Sequence, residues 1–350
     1  MEKRTRRILI GVCTIVIIVL MIIFVDFQKI LENLSKISFY GILLFCITYT
    51  VAFLFRAYKL LLIFKGINLD PSYLILYGSI GVGWAINEIT PAKIGDLAKI
   101  EFIHEKEPDV TLSKSVCAVA LDRFIDLIIL FSITCYTVVY MYLNNITGTT
   151  PLQLQFFIGI GGLILAGALI FLILLFLKTD WILNIIGKIS EKSKKLLEGF
   201  LKNFLEGMND FRKNKKQFLL TIVFNIPTWF FDALTLVVFF YFAGYEIDLL
   251  IIILAQLITF FTKSIPITPG GWGVSEIAGA LIVTLFYPTI PYNEILSIFI
   301  LDHIIRVAYI FIYGGISTVS FNFKLKEIDL DKVGEEVKKL DQEIELESKE

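Results

Sequence analysis

The chain contains two histidines and four cysteines, and neither residue type is arranged to hold a metal. Cys13, Cys46, Cys117 and Cys135 fall singly inside apolar runs, with no C-x-x-C pair. That excludes a zinc site or a disulfide framework, both of which need clustered thiols. The cysteines read as small apolar core residues, and His104 and His303 as hydrogen-bonded or interfacial side chains. No metal or cofactor is expected. Charge is also scarce, at 19% of residues against about 25% in ordinary globular chains. The 32 Lys and Arg nearly cancel the 33 Asp and Glu, leaving −1, so no basic excess points to nucleic acid. What fills the 350 residues is apolar: 56% hydrophobic, 31 Phe, and a mean hydropathy of +0.76. Disorder is excluded for most of the chain. The fold class that remains is all-α, a polytopic membrane protein.

A helix that crosses a bilayer needs about 20 mostly apolar residues, because hydrocarbon offers the backbone no partners. Six stretches qualify: 8–25, 37–55, 116–143, 152–177, 218–243 and 295–320. The first follows Lys3, Arg4, Arg6 and Arg7 with no small-residue cleavage site after it, and reads as a retained signal anchor. Two further apolar segments are interrupted. Residues 71–105 turn polar after Ile86, through Asn87-Glu88-Ile89-Thr90-Pro91-Ala92-Lys93-Ile94-Gly95-Asp96. Residues 249–287 break at Pro266-Ile267-Thr268-Pro269-Gly270-Gly271 and then resume. Both are expected to be re-entrant helical hairpins, whose broken backbone is tolerated only where protein or water surrounds it; packed helices with proline and glycine kinks are the plainer alternative.

With the N-terminus inside and neither hairpin crossing, the inner segments 1–7, 56–65, 92–115, 178–217 and 321–350 hold 4, 3, 4, 10 and 6 Lys and Arg, 27 of the 32. Lys29 and Lys36 alone face outside. Such a bias predicts both termini on the cytoplasmic side of a cell membrane. A transmembrane domain over 1–320 is expected, with halves at about 37–143 and 218–320, followed by a polar cytoplasmic tail over 321–350. Within the long inner segment, residues 182–212 place Ile189, Leu196, Leu197, Phe200, Leu201, Phe204, Leu205 and Met208 opposite lysines at helical spacing. This reads as an amphipathic cytoplasmic helix on the leaflet surface, or else a solvated linker helix.

The two breaks share a pattern. Ile89-Thr90-Pro91 with Gly95 matches Ile267-Thr268-Pro269 with Gly273, 178 residues apart. Asp122 follows Pro91 by 31 residues and Asp302 follows Pro269 by 33. The crossings before the two breaks run in opposite directions, so the halves form an inverted repeat. Paired broken helices in inverted repeats build transporter sites near the midplane, reachable in turn from either side. Charges inside the membrane belong against a cavity or one another. Asp122 and Asp126 share a helix face, Arg123 lies three residues from Asp126, and Asp302 and Arg306 are four apart. Two arginines can hold a phosphate by bidentate bonds, with aspartates orienting them or relaying protons; inter-helix salt bridges that fix packing are the alternative. Asp232, Arg56 and Lys59 are further charges near these spans.

Thr90-Pro91-Ala92-Lys93-Ile94-Gly95-Asp96, Asp122-Arg123-Phe124-Ile125-Asp126-Leu127 and Pro269-Gly270-Gly271-Trp272-Gly273-Val274-Ser275-Glu276 together resemble the lysylphosphatidylglycerol synthase transmembrane family, also called flippase-like membrane proteins. The likeness covers roughly residues 8–320. In the first hairpin Asp96 and Lys99 stand where the family tends to have Glu and Arg, which keeps both charges. The resemblance implies a lipid flippase-like domain. In bifunctional members it is joined to a soluble aminoacyl-transferase domain; the residues after 320 are too few for one, so synthase activity is not carried over and no enzyme is expected. Related domains accompany glycosyltransferases that act on polyprenyl lipids.

The expected function is therefore movement of an anionic phospholipid or polyprenyl-phosphate-linked lipid between leaflets by alternating access. An integral membrane transferase and a proton-coupled carrier of a small anion are the alternatives. Membrane lipids are the expected partners, nucleic acid is not, and an oligomer is compatible with the pattern. The candidate substrate-binding residues are Asn87, Thr90, Pro91, Lys93, Gly95 and Asp96 at the first break, and Asp122, Arg123 and Asp126 after it. Lys263, Thr268, Pro269, Gly270, Gly271, Gly273 and Glu276 surround the second break, with Asp302 and Arg306 in the last span.

Overall fold

A computed structural model describes residues 27–90, 94–143, 204–264 and 268–324. The expected spans 8–25 and 152–177, most of the expected amphipathic helix 182–212 and the tail beyond 324 lie outside the described residues. Among the described residues the structure is helical, with no strand. The helices are α1 (Phe27–Lys36), α2 (Phe39–Gly66), α3 (Tyr73–Ile89), α4 (Gly95–Lys106), α5 (Leu112–Leu143), α6 (Lys215–Ala243), α7 (Leu249–Ser264), α8 (Val274–Phe286) and α9 (Tyr292–Ser320). Residues 204–213 are also helical.

Three of them, α2, α6 and α9, are long and apolar enough to cross a membrane. At 28, 29 and 29 residues they reach about 40 Å at ~1.5 Å per residue. Their surfaces invert the soluble pattern. On α2, Phe39, Tyr40, Leu43, Leu44 and Ile47 are exposed while Arg56 and Lys59 are buried, the arrangement lipid demands of a helix with charge to hide. Ser38 caps α2, its hydroxyl accepting from the Gly41 amide at 3.3 Å. The helix overruns the span expected from hydropathy, 37–55, by three turns. Arg56 and Lys59 are thus buried helix residues and not parts of an inner loop. Lys99 is buried too, so three of the charges counted as cytoplasmic anchors are internal partners. α6 stops at Gly244, whose φ of +90° supplies the left-handed turn of a helix C-terminus. α5 is longer still, 32 residues, with its charges in the N-terminal half.

Side-chain contacts define the two ends of the bundle. At one end Lys29 meets Glu294 at 2.5 Å, Asn33 donates to Ser297 at 2.7 Å, and the Asp248 amide donates to the Tyr287 hydroxyl at 2.9 Å. Glu294, with Glu32, raises the Lys29 pKa above its ordinary value by bonding to its ammonium. At the other end the Ser72 amide donates to Glu107 at 2.6 Å, Asn68 reaches Asp210 at 3.4 Å, and Phe102 packs on Phe321 and Phe323. α3 and α4 form a hairpin whose base is at the second end; α7 and α8 form one whose base is at the first. The arms, 12 to 17 residues, are about 18–26 Å long, short of the ~30 Å hydrocarbon layer. The hairpins enter from opposite ends and stop inside.

Glycine sets how tightly the first hairpin closes. A Cβ on Gly95 would sit 1.9 Å from the Gly83 carbonyl oxygen, so α3 and α4 touch backbone to backbone, as small residues permit in membrane bundles. Gly314 of α9 meets the Gly81 carbonyl in the same way, with a built Cβ at 2.7 Å. Gly315, beside it, has nothing within 4 Å. Gly95→Ala is therefore expected to cost about 1–3 kcal/mol through overpacking, while Gly315→Ala costs nothing. Thermal unfolding of the two purified variants in one detergent checks this; equal melting points would contradict the backbone contact.

Candidate functional site

The hairpin tips meet. Gly270, at φ +60°, lies against Glu88 in the last turn of α3, so that a Cβ there would come 2.8 Å from both the Glu88 carbonyl and its Oε2. Gly271, at φ +78°, lies on Lys263 with a built Cβ 2.6 Å from Cγ. The turn needs glycine twice over, for its left-handed backbone and for close approach. Gly273 also has a positive φ, +81°, just before α8. Gly95, its partner in the sequence repeat, does not; it serves helix packing instead.

His303 of α9 sits where the tips meet. Its Nδ1 contacts Glu276, in the first turn of α8, where the helix N-terminus favours a carboxylate. Its Nε2 lies 3.1 Å from Glu88 Oε2 and 3.2 Å from Lys263 Nζ. Trp272 stacks on the ring at 4.2 Å, 15° from parallel. Ser275 donates to Glu276 at 3.0 Å. One imidazole thus joins α3, α7, α8 and the turn between the last two.

One helical turn further along α9 lies an arginine network. Arg306 Nε donates to Asp302 at 2.6 Å, and Nη1 to Asp232 Oδ1 at 2.7 Å. Its Nη2 reaches the Asp232 carbonyl at 3.0 Å and the Thr235 hydroxyl. Arg56 of α2 takes the other Asp232 oxygen at 2.9 Å. Its guanidinium lies 4.4 Å from the Trp84 ring and 5.2 Å from Trp229, and Arg306 lies 4.9 Å from Tyr49. Aromatic faces stabilise these cations where water cannot.

A third network ties α5 to α2 and the first hairpin. Lys59 Nζ is 2.5 Å from Asp126 and 2.8 Å from Asp122. Lys99 reaches Asp122 at 3.4 Å. Arg123 holds Asp96 bidentately at 2.6 and 3.0 Å, and Trp229 Nε1 donates to Asp126 at 3.2 Å.

The candidate residues therefore divide. Lys263, Gly270, Gly271, Glu276, Asp302 and Arg306 come together around His303 and Asp232. Asp96, Asp122, Arg123 and Asp126 form the separate network on α5, where Arg123 is 3.9 Å from Asp126. A single phosphate clasp made by Arg123 and Arg306 is not formed: each arginine is taken up by its own carboxylates. Asp96 faces Arg123, so the counterpart of Glu276 at the meeting point is Glu88, which precedes the first break and does not follow it. Asn87 Oδ1 accepts from the Gly95 amide at 2.8 Å, and Thr90 bonds back to Ile86. Thr268 is buried, its hydroxyl without a hydrogen-bond partner among the described residues. Pro269 begins the turn; Pro91 and Lys93 lie outside the described residues. Glu88, Asp232, Arg56, Lys59 and His303 join the site beyond the candidate set. The available signal was charge inside an apolar run, which Asp232 and His303 both carry.

A cavity of about 80 Å³ runs between these groups, lined by Glu88, Lys263, Glu276, Asp302, His303 and Arg306 with Trp84, Trp229 and Phe260. A second of about 50 Å³, lined by Asn87, Thr90 and Arg123, shares Glu88 and Lys263 with it. At ~10–15 Å³ per water, the larger holds a few waters and no lipid headgroup in this conformation. Among the described residues no group of three or more His, Cys, Asp or Glu could hold a metal ion. Cutting one partner from a buried pair leaves the other charge stranded, at about 3–5 kcal/mol. Asp232→Ala, which strands Arg56 and leaves Arg306 with the Asp302 carboxylate alone, is expected to destabilise by about that much, and Lys65→Ala in the exposed Lys65–Asp70 pair by under about 1 kcal/mol. Denaturant titration in mixed micelles compares them.

Residues 8–314 match the family model described as the lysylphosphatidylglycerol synthase TM region. The chain is 29% identical to the UPF0104 membrane protein MJ1078 of Methanocaldococcus jannaschii over 231 residues, 66% of this chain and 92% of the relative. It is 25% identical to the UPF0104 membrane protein PH1989 of Pyrococcus horikoshii, over 79% of this chain and 85% of that one. A shorter likeness, 26% over 145 residues, links 40% of the chain to 23% of the glycosyltransferase AglD of Haloferax volcanii. The chain belongs to the lysylphosphatidylglycerol synthase transmembrane family.

Proposed function

With that membership as the premise, we propose that the protein moves an anionic phospholipid or a polyprenyl-phosphate-linked lipid between leaflets by alternating access. The observation that carries the reading is the contact of Glu88 with Gly270: two hairpins inserted from opposite ends touch at a buried charged site. Parting the tips on one side or the other opens the site to one leaflet at a time. The small cavity fits an occluded state between those two. Its walls hold polar groups for a headgroup. Asp302 Oδ1 and Arg56 Nη1 have no hydrogen-bond partner among the described residues, and both belong to the network around Asp232. A phosphate entering from either side can take the guanidinium bonds that Asp232 now holds, because arginine binds phosphate and carboxylate with the same bidentate fork.

In this reading the base of the α3–α4 hairpin and both termini face the cytoplasm, and the base of α7–α8 faces outward. The protein in this reading carries its cargo without transforming it, and the buried carboxylates hold the cations of the site. The region shared with a protein named as a glycosyltransferase favours a sugar-bearing polyprenyl phosphate among the anionic cargoes.

Reconstituted vesicles with fluorescent phosphatidylglycerol or polyprenyl phosphate in one leaflet test the proposal. Glu88→Gln and Glu276→Gln each remove a bond to a charged group, about 1.5–3 kcal/mol, and are expected to slow lipid movement about 10- to 100-fold. Movement at the wild-type rate in both variants would sink the assigned site. Conversion of a labelled lipid donor into product by the purified protein would favour a transferase.

A further inference from the structure

His303 is the one titratable side chain at the meeting point whose ring nitrogens both face charged groups. Glu88 comes to it from α3, Lys263 from α7 and Glu276 from α8. On its own helix Asp302 and Arg306 are neighbours, but they pair with each other, and Arg306 and Arg56 share Asp232 from α6. Those two arginines and two aspartates cancel. In the network on α5, Lys59, Lys99 and Arg123 cancel Asp96, Asp122 and Asp126. Around His303, two carboxylates face one ammonium and leave a single negative charge. Among the described residues it is the one of the three networks that does not close by itself.

A neutral imidazole has one N–H and satisfies one carboxylate, leaving the other opposite a lone pair; an imidazolium donates to both. Trp272, stacked on the ring at 4.2 Å, also favours the cation. We infer that His303 binds a proton that ties the α3–α4 hairpin to the α7–α8 hairpin through Glu88 and Glu276, and that this proton is the coupling ion of the transport cycle. The second half of the statement rests on the lipid-moving reading; the first does not. When the proton leaves to the adjoining cavity water, Nε2 becomes an acceptor. Lys263, 3.2 Å away, then donates to it in place of the former bond to Glu88. The contact of Glu88 with the Gly270 turn loses its tie to α9, and the tips are free to part.

The chain's two histidines make the test direct. In full-length protein labelled with ¹⁵N-histidine in lipid nanodiscs, a His104→Gln sample assigns the two rings. The His303 ring is expected to carry two protons at neutral pH, and to carry one at the same pH in Glu88→Gln and in Glu276→Gln. A wild-type ring with one proton at every value from about pH 5 to about pH 8, the range where histidine switches, would overturn the proposal. For the coupling, vesicles with a trace of fluorescent phosphatidylglycerol are measured under inward and outward pH gradients. The wild-type rate is expected to change about tenfold or more with gradient direction, and His303→Gln to lose that dependence. Retention of it in His303→Gln would overturn the coupling role. Absence of lipid movement by the wild type under any gradient would count against phosphatidylglycerol as cargo and against coupling to it, while the ring signal still decides whether the proton is bound.

Discussion

A charge buried among apolar helices costs several kcal/mol unless an opposite charge meets it with good geometry, and this constraint organises the whole interior. Asp232, deep in α6, is held by Arg56 of α2 and Arg306 of α9. Lys59 of α2 is held by Asp122 and Asp126 of α5. Each pair joins elements distant in sequence, so the long helices are fixed in register by groups that have no other place to go. The apolar exteriors of the same helices carry no such information, since lipid accepts any apolar side chain. Specific packing therefore comes from the charges and from the small residues, Gly81, Gly83, Gly95 and Gly314, which let backbones touch.

Within that frame the two hairpins are the parts that the proposed transport cycle moves. They are too short to span the hydrocarbon layer and enter from opposite ends. They hold each other through a few contacts on Glu88, Gly270, His303 and Glu276 rather than through a broad apolar interface. Three glycines with positive φ, Gly270, Gly271 and Gly273, give the second tip a backbone that turns within a few residues. Discrete contacts of this kind have two arrangements, paired and parted, which is what a gate requires. The cavity behind them is small, about 80 Å³, so in the proposed transport cycle access for a cargo and rupture of the tip contacts are one event.

Much of this was legible in the residues. The apolar runs gave α2, α6 and α9, and the interrupted ones gave both hairpins, because a proline-glycine break in an apolar segment has few other uses in a membrane. Glu276 and the glycine turn stood out for the same reason. Hydropathy failed at Arg56 and Lys59, which it treats as the end of a span although α2 carries them on for three turns. A window average has no knowledge of partners on other helices. The repeat matched Gly95 with Gly273, but the matched glycines do different work. Gly95 packs on Gly83 and turns Asp96 toward Arg123, leaving Glu88 to face the centre. His303 offered only the signal of a polar side chain inside an apolar run, because its role depends on Glu88 and Glu276, 215 and 27 residues away.

The hairpin tips meet at one buried point, and in the proposed reading they reach it from opposite sides of the membrane. Cysteines placed at the exposed positions Asp109, at the base of α3–α4, and Thr289, at the base of α7–α8, in a background lacking the native thiols, test it directly with a membrane-impermeant maleimide applied to intact cells and to inverted vesicles. Position 289 should label from outside and position 109 from the cytoplasmic face. Labelling of both from one side would contradict the opposed hairpins and the gate proposed from them.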